Sequence, residues 1–145
     1  MGIFRKGKGK DEAVLSFETI TLRLSGMRGA REYEIVRTDD KAEITEYEIR
    51  YAQGEDKRVP ERRAVCGAEE MLALLNRCAF LSWDGFHGPH PKNVRDGTMF
   101  RLTATVNTDK AIHADGSENF PKHFRDFTDA LYALLRNAET ETPAD

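Results

Sequence analysis

The stretch WDGFHGPHPKNVRDG, Trp83 to Gly97, gathers side chains that can do chemistry: the only tryptophan, two of the four histidines and two of the five prolines. His87 and His90 are close in sequence, with Asp84 upstream and His113 further along the chain. Imidazole and carboxylate together make open metal sites. The two cysteines, Cys66 and Cys78, do not extend such a site. Structural zinc favours cysteines separated by about two to four residues. If Cys66 and Cys78 lie on one helix they are roughly 18 Å apart. That is too far for one ion, and far beyond the ~7 Å between Cα atoms that a disulfide tolerates. Both thiols are expected to be free, as suits a cytoplasmic protein. The alternative to a metal site is an exposed loop whose two histidines flank Gly88-Pro89.

Two further chemistries can be weighed. Cys66 stands just before a segment of helical periodicity, where the macrodipole lowers a thiol pKa,. A catalytic thiol also needs a base within reach, and Glu69 and Glu70 oppose thiolate formation. The competing reading is a small residue at a strand–helix junction. Cys78 falls on the apolar stripe and reads as core,. GSENFP, Gly116 to Pro121, precedes a helix, and helix N-termini attract anions,. The stretch lacks the spacing of a P-loop. The plainer expectation is a capped helix entry, with Ser117 or Asn119 accepting backbone N–H bonds and Phe120 packing as a staple. No catalytic residue, metal ligand or cofactor is assigned.

The elements that must position these groups follow from periodicity. VLSFETITLRLSG alternates, with Ile20, Leu22 and Leu24 on one face and Thr19, Thr21 and Arg23 on the other, as a half-buried strand does,. REYEIVRT places Tyr33 and Ile35 inward and Glu32 and Glu34 outward. AEITEYEIRYA places Tyr47, Ile49 and Tyr51 inward and Glu46, Glu48 and Arg50 outward. SGMRG, TDDK and QGEDK supply turns between antiparallel neighbours. RVPERRAV is a fourth, weaker strand, and Pro60 puts it at an edge. In CGAEEMLALLNRCAFLSW the spacing becomes helical through Met71, Leu74, Leu75 and Cys78, with Glu69 and Glu70 in the first turn,. TMFRLTATVN returns to period two through Phe100, Leu102, Ala104 and Val106, and AIHAD makes a short partner strand. The last helix carries Phe124, Phe127, Leu131, Leu134 and Leu135 on one stripe, with Pro121 in its first turn,.

The predicted order is β-β-β-β-α-β-β-α, an antiparallel sheet of about six strands with two helices on one face. This α+β two-layer sandwich is expected over residues 13–137. A basic tail is expected over 1–12 and an acidic one over 138–145.

Residues 96–127, DGTMFRLTATVNTDKAIHADGSENFPKHFRDF, resemble the C-terminal half of a loose group of small uncharacterised bacterial proteins. In that group an Asp-Gly precedes a strand hairpin, then a Gly and an Asn or Ser, then an aromatic-Pro pair opens the last helix. The matching positions here are Asp96, Gly97, Gly116, Asn119, Phe120 and Pro121. The resemblance implies an α+β fold and no activity.

The chain has 145 residues, 32% of them charged, and a net charge of −3. This is a globular composition with room for a continuous core, and it argues against a general nucleic-acid binder, whose domains are usually basic. No apolar run approaches the ~20 residues of a membrane span. MGIFRKGKGK has no apolar region after it, and Lys6 breaks the myristoylation pattern. A cytoplasmic protein is expected, with a protein or small ligand as partner, monomeric or weakly dimeric through an edge strand. The loop from Ser82 to Gly97 is long for a compact domain, and such loops are usually functional or disordered. Trp83 and Phe86 should anchor it and leave His87 and His90 at the surface. A ligand pocket is then expected between this loop and the last helix entry, lined by Trp83, His87, His90, Ser117 and Asn119. These features favour a small non-catalytic binding or protein-interaction module. The alternative is a small metal-binding protein or hydrolase-like enzyme using His87 and His90.

Overall fold

The computed structural model describes residues 13–27, 29–94 and 97–141. Its strands are β1 (Phe17–Gly26), β2 (Gly29–Thr38), β3 (Lys41–Ala52), β4 (Glu55–Gly67), β5 (His87–Gly88), β6 (Met99–Val106) and β7 (Lys110–Ser117). Its helices are α1 (Ala68–Arg77) and α2 (Phe124–Glu141), and a 3₁₀ turn spans Phe80–Trp83. All seven strands form one sheet, in the order β4-β3-β2-β1-β6-β7-β5. The α+β class is as expected; the seventh strand was not anticipated. It is β5, two residues that pair parallel with β7 through His87↔Asp115 and Gly88↔Gly116. A strand that short has no periodicity to read.

The first four strands are a meander, because each connection is a tight turn. Gln53 and Gly54 both hold positive φ, at 56° and 81°. Positive φ at both central residues is the backbone of the two-residue turn whose twist matches antiparallel strands. β6 then returns beside β1, and β4 is left at an edge with Pro60 at an irregularity in its pairing to β3.

Both helices cover one face. β1 contributes Phe17, Ile20 and Leu22 to the core, β2 Tyr33 and Ile35, and β6 Phe100, Leu102, Ala104 and Val106. Met71, Leu74 and Leu75 of α1 and Phe124, Phe127, Leu131 and Leu135 of α2 close over them. Leu134, expected on the same stripe, is only partly buried. Pro121 lies ahead of α2 rather than in its first turn: His123 has φ 69°, so the helix begins after it. The helix runs on to Glu141, into the segment expected as an acidic tail. Residues 142–145, and the basic tail expected over 1–12, lie outside the described residues.

The phase of β3 is the opposite of that expected. Ala42, Ile44 and Glu46 face the helices, Tyr47 lies on the outer face, and Tyr51 is 74% exposed. The aromatic side chains carried the apolar weight in the sequence pattern. Parity is instead set by the turn at Asp39-Asp40, which pairs Thr38 with Lys41 and so puts Ile44 beside Ile35 and Glu46 beside Tyr33. A one-residue slip would reverse every side chain of the strand. Glu48 and Arg50 likewise do not share the outer face with Glu32 and Glu34.

Glu46 is thus a carboxylate 3% exposed at the core margin. A charge there survives only if it is paired and hydrogen-bonded. Arg62 Nε donates to it at 2.7 Å and the Tyr33 hydroxyl at 2.9 Å. Burial by itself pushes the Glu46 pKa up. The bonds from Arg62 and Tyr33, with the charges of Arg62 and Arg31, outweigh burial and hold it below its ordinary value of 4.5.

A carboxyl whose folded pKa is depressed stabilises the fold above its unfolded value, and that contribution is lost as pH falls through the folded one. Stability should therefore drop as pH falls below 4.5, and Glu46→Gln should flatten that limb in denaturant titrations at stepped pH. Arg62→Ala should cost about 2–3 kcal/mol at neutral pH, less than breaking a fully buried pair because Arg62 retains contact with water. Phe127 is fully buried, and Phe127→Ala should cost about 3–5 kcal/mol in the same assay. A loss below ~1 kcal/mol would contradict the packing of α2.

Candidate functional site

Among the described residues no helix covers the outer sheet face, which holds a cleft of about 660 Å³. β1, β6 and β7 form the floor through Arg23, Arg101 and Asp115. Ile49, Tyr51 and Met99 line one part, and His87 and His90 another. Tyr51 and Met99 are 74% and 51% exposed, unusual for side chains so apolar.

The loop forms one wall because its aromatic residues are held on the other side of the sheet. Trp83 is fully buried against Phe80, Phe124 and Phe127. Its indole N–H donates to the Lys122 carbonyl at 3.1 Å. Such an amphipathic ring needs a partner for its donor when buried. Phe86 is half-buried beside Phe100. Beyond this anchor, the Gly85 amide donates to His113 O and the Asp115 amide to Phe86 O, which lays the chain along β7 as β5.

His87 is consequently exposed, and its Nδ1 lies 2.5 Å from an Asp115 carboxylate oxygen. His90 is engaged through both ring nitrogens. Nε2 meets the Val94 carbonyl, which can only accept, so this nitrogen carries the proton,. In the neutral ring Nδ1 then accepts from the Ser117 hydroxyl, at 2.7 Å. A metal could take His90 only by breaking one of these bonds. Among the described residues, no three His, Cys, Asp or Glu side chains come together to hold a metal ion. The Asp84 carboxylate instead accepts from the His113 backbone amide at 3.0 Å.

Of the residues expected to share a pocket, His87, His90 and Ser117 do line one cleft. Trp83 lies in the core behind it. Asn119 donates through its side-chain amide to Pro89 O at 3.2 Å. The gap expected between the loop and the helix entry is filled: a Cβ on Gly88 would lie 2.6 Å from the Asn119 carbonyl oxygen, and one on Gly116 only 2.2 Å from it. Ser117 and Asn119 bond to the loop and α2 begins only at Phe124, so among the described residues neither makes the capping bond expected of it. Glu118, with φ 49°, accepts the Thr98 amide at 2.7 Å and crowds Gly97. Gly97, Gly116 and Asn119, three positions of the C-terminal resemblance, are therefore packing requirements of one strand–loop junction. Asp96 lies outside the described residues.

Neither thiol reaches the cleft. Cys66 and Cys78 are buried and free. Burial pushes the Cys66 thiol up to about 11, and Glu70 acts in the same direction. Burial raises Cys78 as well.

The cleft residues that sequence reasoning missed are Arg23, Arg101, Asp115, Tyr51 and Met99. Arg101 had one signal, a lone cation among the outward Thr103 and Thr105 of its strand. The misread phase of β3 hid Tyr51. No protein-family model and no curated protein matches this chain.

Gly116→Ala should cost about 1–3 kcal/mol, as overpacking does, because the added methyl meets backbone and the Phe100 ring. Thermal and urea unfolding read this directly. A change within ~0.5 kcal/mol would show that the Asn119 turn gives way without strain.

Proposed function

We propose that this chain is a non-catalytic binding module whose ligand seats in the outer-face cleft. The observation that carries this reading is a set of polar and apolar side chains, Arg101, Tyr51 and Met99, exposed together on one concave surface where the fold does not bury them. Pockets of this kind are default binding sites when apolar walls meet a few convergent polar groups. A rigid wall supports it, since the Trp83 anchor and the Asn119–Pro89 bond hold the loop before any ligand arrives, and pre-organisation lowers the ordering cost of binding.

One observation favours a second reading, hydrolysis with His87 as general base. Asp115 orients its Nδ1 in the way a carboxylate orients a catalytic imidazole,. In the binding reading the same pair simply fixes a donor at the cleft wall.

Amide chemical-shift mapping with a fragment panel tests the proposal. Bound fragments should move the resonances of Ile49, Tyr51, Met99, Arg101 and Asp115 together. Met99→Glu should weaken cleft-bound apolar fragments about tenfold, or about 1.4 kcal/mol. Shifts confined to the helical face would place the site elsewhere. Turnover of an ester panel, lost in His87→Ala and retained in Met99→Glu, would favour the second reading.

A further inference from the structure

The strand register lays one row of side chains across the outer face. It reads Tyr47, Glu32, Arg23, Arg101, Asp115, His87, each directly opposite the next on the neighbouring strand. Two arginines stand side by side in its middle. Like charges opposite one another on an antiparallel pair are destabilising, and the usual remedy is an acid on the next strand. Asp115 occupies that position for Arg101. Its carboxylate, however, turns one oxygen to His87 Nδ1 at 2.5 Å. Among the described residues Arg101 makes no hydrogen bond and no ion pair. The acids of Arg23 lie on its far side, with Asp56 at 3.3 Å and Glu32 at 3.6 Å. Arg23 Nε is buried without a hydrogen-bond partner. Arg101 therefore stands beside an arginine already paired on its other side, with Asp56 and Asp115 at the margins of the same cleft.

We infer that the cleft takes a small organic oxyanion, its charged head bridging Arg101 and Arg23 and its apolar body lying on Ile49, Tyr51 and Met99. The inference rests on the binding reading above. Guanidinium forks bind carboxylate and phosphate oxygens through paired, charge-assisted bonds, and an oxyanion between the two arginines replaces their repulsion with attraction. Exposed Tyr51 and Met99 supply what a bare inorganic ion would leave unused. The flanking Glu32, Asp56 and Asp115 repel an extended polyanion, so a compact ligand with one charged head is selected over a nucleic acid. Carboxylates and phosphate monoesters share this chemistry.

The test titrates the full chain with phenylacetate, phenyl phosphate, inorganic phosphate and benzyl alcohol, by calorimetry and by shifts of the arginine side-chain N–H resonances. One of the two aromatic acids should bind at least about tenfold more tightly than benzyl alcohol and than inorganic phosphate. It should move Arg101, Arg23, Tyr51 and Met99 resonances and weaken with added salt. Whichever acid binds better identifies the head group. Arg101→Gln should remove that advantage, Arg101→Lys should restore part of it, and Arg63→Gln, an arginine paired with Glu43 elsewhere on the sheet, should leave it intact. If benzyl alcohol binds the cleft as tightly as the acids, or Arg101→Gln changes nothing, the oxyanion inference fails while the binding reading stands. If no probe moves a cleft resonance, both fail.

Discussion

Side chains alternate between the two faces of a strand, and both helices among the described residues pack on the same face,. That constraint governs everything else in the molecule. Every residue of the sheet is committed by parity either to a dry layer or to an uncovered one. The dry layer is filled by aliphatic and aromatic residues of β1, β2, β6 and β7, against α1 and α2. Outside the cleft, where Tyr51 and Met99 are exposed, the uncovered layer must stay hydrated,. It does so with cross-strand ion pairs, in which Arg23 meets Glu32 and Arg58 spans Glu32 and Glu34. The Arg58 guanidinium also lies 3.9 Å over the Tyr47 ring, so one aromatic on the wet face is covered by a cation,.

Parity also explains the buried acid on the helical side. Once the Asp39-Asp40 turn fixes the pairing of β2 with β3, Glu46 has to face the helices. Tyr33 from β2 and Arg62 from the edge strand meet it there, and Arg31 lies near. A buried ion pair is weak evidence of net stability. Its effect here is on register. A slip of β3 by one residue would carry Glu46 away from the donors on Tyr33 and Arg62 that hold its charge. The cluster thereby disfavours alternative pairings of a strand whose own apolar pattern points to the opposite phase.

That conflict marks the boundary of what the sequence makes legible. The strands with unambiguous alternation, β1, β2 and β6, take the faces their residues prescribe, and the stripes of Met71, Leu74 and Leu75 and of Phe124, Phe127 and Leu131 are buried as expected. β3 carries apolar residues at both parities, Ala42 and Ile44 at one and Tyr47, Ile49 and Tyr51 at the other, so local pattern cannot choose between them. The charged row on the outer face was further out of reach. It depends on β6 lying against β1 and on two residues of a loop pairing with β7, both contacts between segments distant in the chain. Trp83 and the surface histidines were readable because an indole that large seeks burial and Gly88-Pro89 makes a turn; which side of the sheet they opened onto was not.

The two faces are finally connected at the loop. Trp83, fixed in the aromatic cluster on the helical side, sets where the chain emerges at the sheet edge, and Gly88 and Gly116 let it press against the Asn119 turn that leads into α2. His87 is thereby placed next to Asp115 on the opposite face. That contact engages one oxygen of the acid that the register places opposite Arg101. A core anchor on one side of the sheet thus supplies the partner of an acid on the other. The packing of the loop and the charge of the cleft are consequences of one geometry, which is why a junction so crowded is built from residues as small as glycine.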